Sequence, residues 1–223
     1  MGDITFFMFI IIIILFIMIM ILYFKFKYFF YVGDAYIKLI QSIVSEFDSK
    51  DPYFNGHTRK VNELSCEIAK RLGINESDFY KNMKLSIYIS QLAKIRIPEK
   101  ILYKREKLTE DEFNVIKKTP IIAYKITENN YFFKKIKNVV KSKNEKYNGR
   151  GYPEGLLGED IPIMSRIINV AEAYDAMVSE RPYKKPLTKS EAIEELKNQK
   201  GKQFDPEVTD VILEILLEEE LNI

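Results

Sequence analysis

Tyr147-Asn-Gly-Arg-Gly-Tyr-Pro-Glu-Gly-Leu-Leu-Gly-Glu-Asp-Ile-Pro162 packs glycine and proline at a density found nowhere else in the chain. Glycines at 149, 151, 155 and 158 permit unusual backbone angles, whereas Pro153 and Pro162 fix theirs. The stretch therefore reads as a shaped loop rather than a slack linker. Loops held by a rigid scaffold are where binding and catalytic groups concentrate.

Working outward, the flanks are helical. Val61, Leu64, Ile68 and Leu72 recur at 3–4 spacing up to Gly73. Met83, Leu85, Ile87, Ile89 and Leu92 mark a third helix that Asn75 or Ser77 would cap. Further helices are expected near 111–118, 121–128, 132–143 and 163–179, with no period-2 strand pattern between them. Thr109-x-x-Glu112 and Thr188-x-x-Glu191 have the spacing of capping boxes. Asp205-Pro206 provides an N-cap and first-turn proline for a last helix. The fold class read from the residues is all-α, without internal repeats.

The N-terminal segment is different in kind. Ile4–Phe24 is apolar apart from Thr5. A helix of that length spans about 30 Å, the hydrocarbon thickness of a bilayer. It is too long for a secretory signal core, and no cleavage-type small residues follow it. Asp3 precedes it and Lys25 and Lys27 follow it, so the positive-inside bias places the remainder in the cytoplasm, on the inner membrane. The domain plan is a transmembrane helix at 4–24, a juxtamembrane linker at 25–34 broken at Gly33-Asp34, and a helical domain at 35–223. Phe30, Tyr31, Tyr36, Leu39, Ile40 and Ile43 could serve a homodimer contact.

Composition narrows the chemistry. Net charge is +2, which gives no global pull toward a nucleic acid polymer. The single cysteine, Cys66, excludes an internal disulfide framework and falls on an apolar helix face. His57 is the only histidine, so no histidine cluster can form.

Eight ordered blocks resemble the HD-GYP subclass of HD-domain phosphohydrolases. They are His57–Val61, Lys94–Leu102, Lys107–Glu112, Asn148–Leu156, Ile161–Ile167, Val170–Ala176, Arg181–Tyr183 and Gly201–Pro206. The resemblance implies an all-helical domain with two or three iron or manganese ions that hydrolyses cyclic di-GMP or a related cyclic dinucleotide. It also implies which positions would hold metal. There the namesake pair is Ser90 and Gln91, and other ligand positions are Tyr53, Thr119, Lys143 and Asn144. Hydroxyl, amide and ammonium groups are poor ligands for these ions. His57 and Glu172 are the remnants, with Glu145 nearby. The expectation is accordingly no catalytic residues and no metal cofactor, with Lys143 either paired to Glu172 in the vacated place or turned to solvent. The resemblance assigns phosphate contacts to Lys94, Arg181, Lys184 and Lys185, and partner contacts to Gly149, Gly151, Tyr152 and Pro153. In the family this loop is associated with diguanylate cyclase domains. The expected role is a membrane-anchored, inactive binding protein. A phosphodiesterase with a reduced metal site and a dimerising scaffold are the alternatives.

Overall fold

The computed structural model describes residues 2–50, 56–180 and 185–221. Helix content is 74%, and no strand occurs among the described residues. The all-α expectation is met.

α1 (Gly2–Lys50) is one continuous helix. The expected break at Gly33-Asp34 is absent. A lone glycine costs a helix only about 1 kcal/mol relative to alanine, and no proline follows to remove a hydrogen bond. From Phe6 to Phe24 its apolar side chains are exposed. Among the described residues it alone is long and apolar enough to cross a membrane.

The helical bundle comprises α2 (His57–Arg71), α3 (Ser77–Lys94), α4 (Glu99–Leu102), α5 (Glu110–Lys117), α6 (Thr119–Glu128), α7 (Lys137–Ser142), α8 (Ile163–Val178), α9 (Lys189–Gln199) and α10 (Pro206–Leu221). α8 is central and packs against α2, α3, α7, α9 and α10. Its Ile167, Ile168, Val170 and Ala171 are almost wholly buried, against Ile68, Met83, Leu196 and Ile212 of its neighbours. Each such aliphatic side chain contributes roughly 1.5–3 kcal/mol by leaving water.

Local chemistry sets most boundaries. Both expected capping boxes form, at Thr109–Glu112 and Thr188–Glu191. Asp205 Oδ1 accepts from the Glu207 and Val208 amides, and Arg166 bonds its other oxygen. Gly73 follows α2, its amide donating to Lys70 O. The α3 cap differs from expectation: Glu76 occupies the position without a side-chain bond. Asn75 instead donates to Gly73 O, closing the preceding turn. The helix expected over 132–143 is split into a 3₁₀ turn (Tyr131–Phe133) and α7. Asn130 caps that turn by accepting from the Phe132 amide.

Candidate functional site

The loop after α7 is tied down mainly through its backbone amides. Tyr147 and Asn148 amides donate to Gln203 O and Lys202 O in the α9–α10 turn, and the Gly158 amide closes onto Tyr147 O. Glu145, buried at the foot of the loop, accepts from the Glu154 and Gly155 amides at 2.7 and 3.1 Å. Gly149 has φ +74°, a left-handed angle. Gly151 is needed for a different reason: a Cβ there would lie 2.2 Å from Lys146 N and 2.4 Å from Glu145 Cα. The Tyr152–Pro153 peptide is cis.

This packing turns Tyr152 inward. It lines a cavity of about 420 Å³ with His57, Lys94, Lys143, Lys146 and Glu172. Ile97, Ile101, Leu108, Phe113 and Ile116 form an apolar wall. Asn144 donates to the Tyr152 hydroxyl at 2.6 Å, and Phe113 meets the Tyr152 ring edge-on at 6.5 Å. Burial pushes the Tyr152 phenol up, so it stays protonated at neutral pH.

α8 supplies the polar side through one face, at i, i+3 and i+6. Asn169 donates to Lys143 O and Glu145 O, fixing the end of α7. Glu172 accepts from the Lys143 ammonium through both oxygens, at 2.7 and 2.6 Å. Of the two alternatives for Lys143 the pair forms, with Lys143 only 5% and Glu172 18% exposed. Burial raises the Glu172 carboxyl, but Lys143, Lys94 and His57 outweigh it and bring it to about 2. Asp175 meets His57 Nδ1 at 2.5 Å and accepts from Ser179. Burial lowers the His57 imidazole. The neutral ring then carries its proton on Nδ1 toward Asp175 and presents Nε2 as its acceptor.

Other expected residues fall as follows. Ser90 and Gln91 are buried in α3, and Thr119 lines the cavity while donating to Ile116 O. Lys185 is exposed and does not line the cavity. Arg181, Lys184 and Tyr53 lie outside the described residues. Among the basic residues between 134 and 150, Lys135 pairs with Asp78 and Lys141 with Glu154, besides Lys143 with Glu172. Sequence reasoning passed over Asn169 and Asp175. Their spacing from Glu172 on one helix face was the available signal.

Residues 42–208 match the profile described as HD domain. The chain belongs to the HD domain family. This HD domain is 33% identical over 176 residues to the cyclic di-GMP phosphodiesterase response regulator RpfG of Xanthomonas campestris, covering 78% of this chain and 46% of that protein. It is 35% identical over 178 residues to a cyclic di-GMP phosphodiesterase of Thermotoga maritima, covering 79% and 48%. The chain thus spans about half the length of the curated relatives it matches. Its fold matches that of Bd1817, an HDG"Y"P protein from Bdellovibrio bacteriovorus, with a TM-score of 0.63 at 21% identity over 84% of this chain and 63% of that one. The resemblance to HD-GYP proteins is borne out.

Membership corrects the expectation of no cofactor. The family is metal-dependent, and it points to a metal rather than to none. The donors in this cavity are a poor match for a two-metal cluster. His57, backed by a carboxylate on Nδ1, has the arrangement of a metal-ligating histidine. Glu172 has the right chemistry but is engaged by Lys143. Among the described residues no group of three or more His, Cys, Asp or Glu converges. What the described side chains supply is cationic and apolar surface around an internal ion pair.

Proposed function

We propose that this chain is a membrane-anchored HD-GYP domain of cyclic-dinucleotide signalling that binds its ligand without hydrolysing it. The observation that carries the reading is the Lys143–Glu172 pair inside the cavity. A carboxylate held at about 2 is a weak proton acceptor at neutral pH, and this one already accepts twice from an ammonium. Lys94, Lys143 and Lys146 offer positive charge to phosphates, and the apolar wall offers surface to bases. Relatives named for action on cyclic di-GMP and on 3'3'-cGAMP support a ligand of that class. Lys94, Arg181 and Lys184 are proposed phosphate contacts, whereas Lys185, exposed and outside the cavity lining, is not retained as one. The Gly149–Pro153 segment is a proposed docking edge for a diguanylate cyclase domain. α1 is the proposed anchor, with the domain in the cytoplasm.

The test uses the full chain in lipid nanodiscs, supplied with Fe²⁺ or Mn²⁺ without oxygen. Titration with cyclic di-GMP and 3'3'-cGAMP should give saturable binding that weakens in Arg181→Ala and in Lys94→Ala. Chromatography of the ligand after incubation should return it intact. Linear dinucleotide appearing in proportion to protein would establish the second reading, a phosphodiesterase with a reduced metal site. The His57–Asp175 arrangement is the observation that favours that reading.

A further inference from the structure

We propose that Lys143 is a phosphate-binding residue of this cavity, and that Glu172 is an internal anion with which an incoming phosphate competes for it. The inference rests on the proposed cyclic-dinucleotide reading and deepens it.

An ammonium has three N–H donors. Glu172 takes two from Lys143, and both residues line the cavity rather than a closed core. A buried cation requires an anion, because removing one partner of a buried pair leaves the other uncompensated. Without a ligand, Glu172 is that anion. A phosphodiester entering the same cavity offers a second one, with oxygens able to accept charge-assisted bonds. Lys94 lies close enough to act electrostatically on both His57 and Glu172. Lys94 and Lys143 are thus two cations facing one space, which suits a ligand carrying two singly charged phosphates. Asn169 fixes the main chain at Lys143 onto α8, so the ammonium is positioned by the same helix that carries Glu172. Exchange needs only side-chain movement.

The consequence is a pair of effects of opposite sign. Lys143→Met removes an anchor and should weaken cyclic di-GMP binding about tenfold or more. Glu172→Gln removes the competitor, keeps the side-chain shape, and should tighten binding about fivefold, by the same order of charge-assisted bond. The double variant should bind like Lys143→Met, because the tightening passes through Lys143. It also removes both charges together, so it remains informative if either single variant fails to fold. Lys143→Arg keeps the charge and should retain most affinity.

The measurement is isothermal titration of the full chain and these variants in nanodiscs with cyclic di-GMP. Thermal protection by inorganic phosphate is measured in parallel. Equal affinity in wild type and Lys143→Met overturns the proposal while leaving the cyclic-dinucleotide reading intact. Weaker binding in Glu172→Gln overturns the competition. If cyclic di-GMP does not bind, the functional reading fails. The anchor is then judged by whether phosphate protects wild type, protects Glu172→Gln more, and protects Lys143→Met less. Absence of that order overturns it too.

Discussion

Gly151 sits where no other residue fits. A methyl group would meet backbone atoms of Glu145 and Lys146 well inside contact distance, and backbone cannot swing aside as a side chain can. Gly151→Ala should therefore cost about 3 kcal/mol or more, the upper range for overpacking. Gly149→Ala meets only ordinary contacts and should cost the smaller penalty of a left-handed angle, about 1–2 kcal/mol. Urea unfolding followed by circular dichroism would rank them, and the reverse order would refute the steric account. The glycines were legible in sequence, but which one answered to space rather than to angle was not. That depends on Glu145 turning back beneath the loop. Glu172 permits a second residue-level prediction. Its carboxyl is held at about 2 against an ordinary 4.5. A depressed carboxylate contributes stability above its unfolded value and loses it as pH falls toward the folded one. The window is therefore about pH 4.5 down to 2. Between about pH 6 and about pH 3, Glu172→Gln should lack on the order of 2 kcal/mol of that acid-dependent loss. Denaturation at about pH 6 and about pH 3 for both proteins checks it. Equal losses would mean the pair does not govern the acid limb.

At the scale of elements, legibility followed the range of the interaction. Thr109–Glu112 and Thr188–Glu191 close bonds within three residues, so the sequence alone displays them. α9 depends on that closure, since its acidic first turn and N-cap are largely exposed. Thr188→Ala should lower stability by about 1 kcal/mol, and Thr188→Ser should restore most of it. A thermal melt that leaves both variants at the wild-type midpoint would show the box to be dispensable. The start of α3 was illegible because two candidate caps competed, and Asn75 was drawn into the Gly73 turn. The continuity of α1 was illegible for a similar reason: Gly33-Asp34 resembles a turn, while helix on both sides overrides so weak a signal. The pairing of Lys143 with Glu172 crosses from the end of α7 to α8. It was legible because the resemblance placed both at one vacated position, and because a buried cation seeks a carboxylate. The His57–Asp175 contact joins residues 118 apart, against 29 for Lys143 and Glu172, and lacked such a marker.

At the scale of the whole chain, the proposed anchor carries a proposed sidedness, argued from the charge around the apolar segment. Asp3 lies on one flank, and Lys25 and Lys27 lie on the other. Lysine within about 15–20 residues of a span is retained on the cytoplasmic side, and acidic residues weigh little. The cyclic-dinucleotide reading requires the same side, since a ligand of cytoplasmic signalling must reach the cavity beside Lys94 and Lys143. The exposed apolar surface from Phe6 to Phe24 offers lipid nearly nothing polar. The chain should therefore pellet with membranes and resist extraction by alkaline carbonate. Protease added to spheroplasts should spare the HD domain, and protease added to inverted vesicles should digest it. Deleting residues 4–24 should move the protein to the soluble fraction. Replacing Asp3 by Lys, with Lys25 and Lys27 by Asp, should invert the bias and expose part of the population to external protease. Carbonate extraction of the intact chain would refute the span itself. Digestion of the unaltered domain from outside would refute its sidedness, and with it the route by which a cytoplasmic dinucleotide reaches the site.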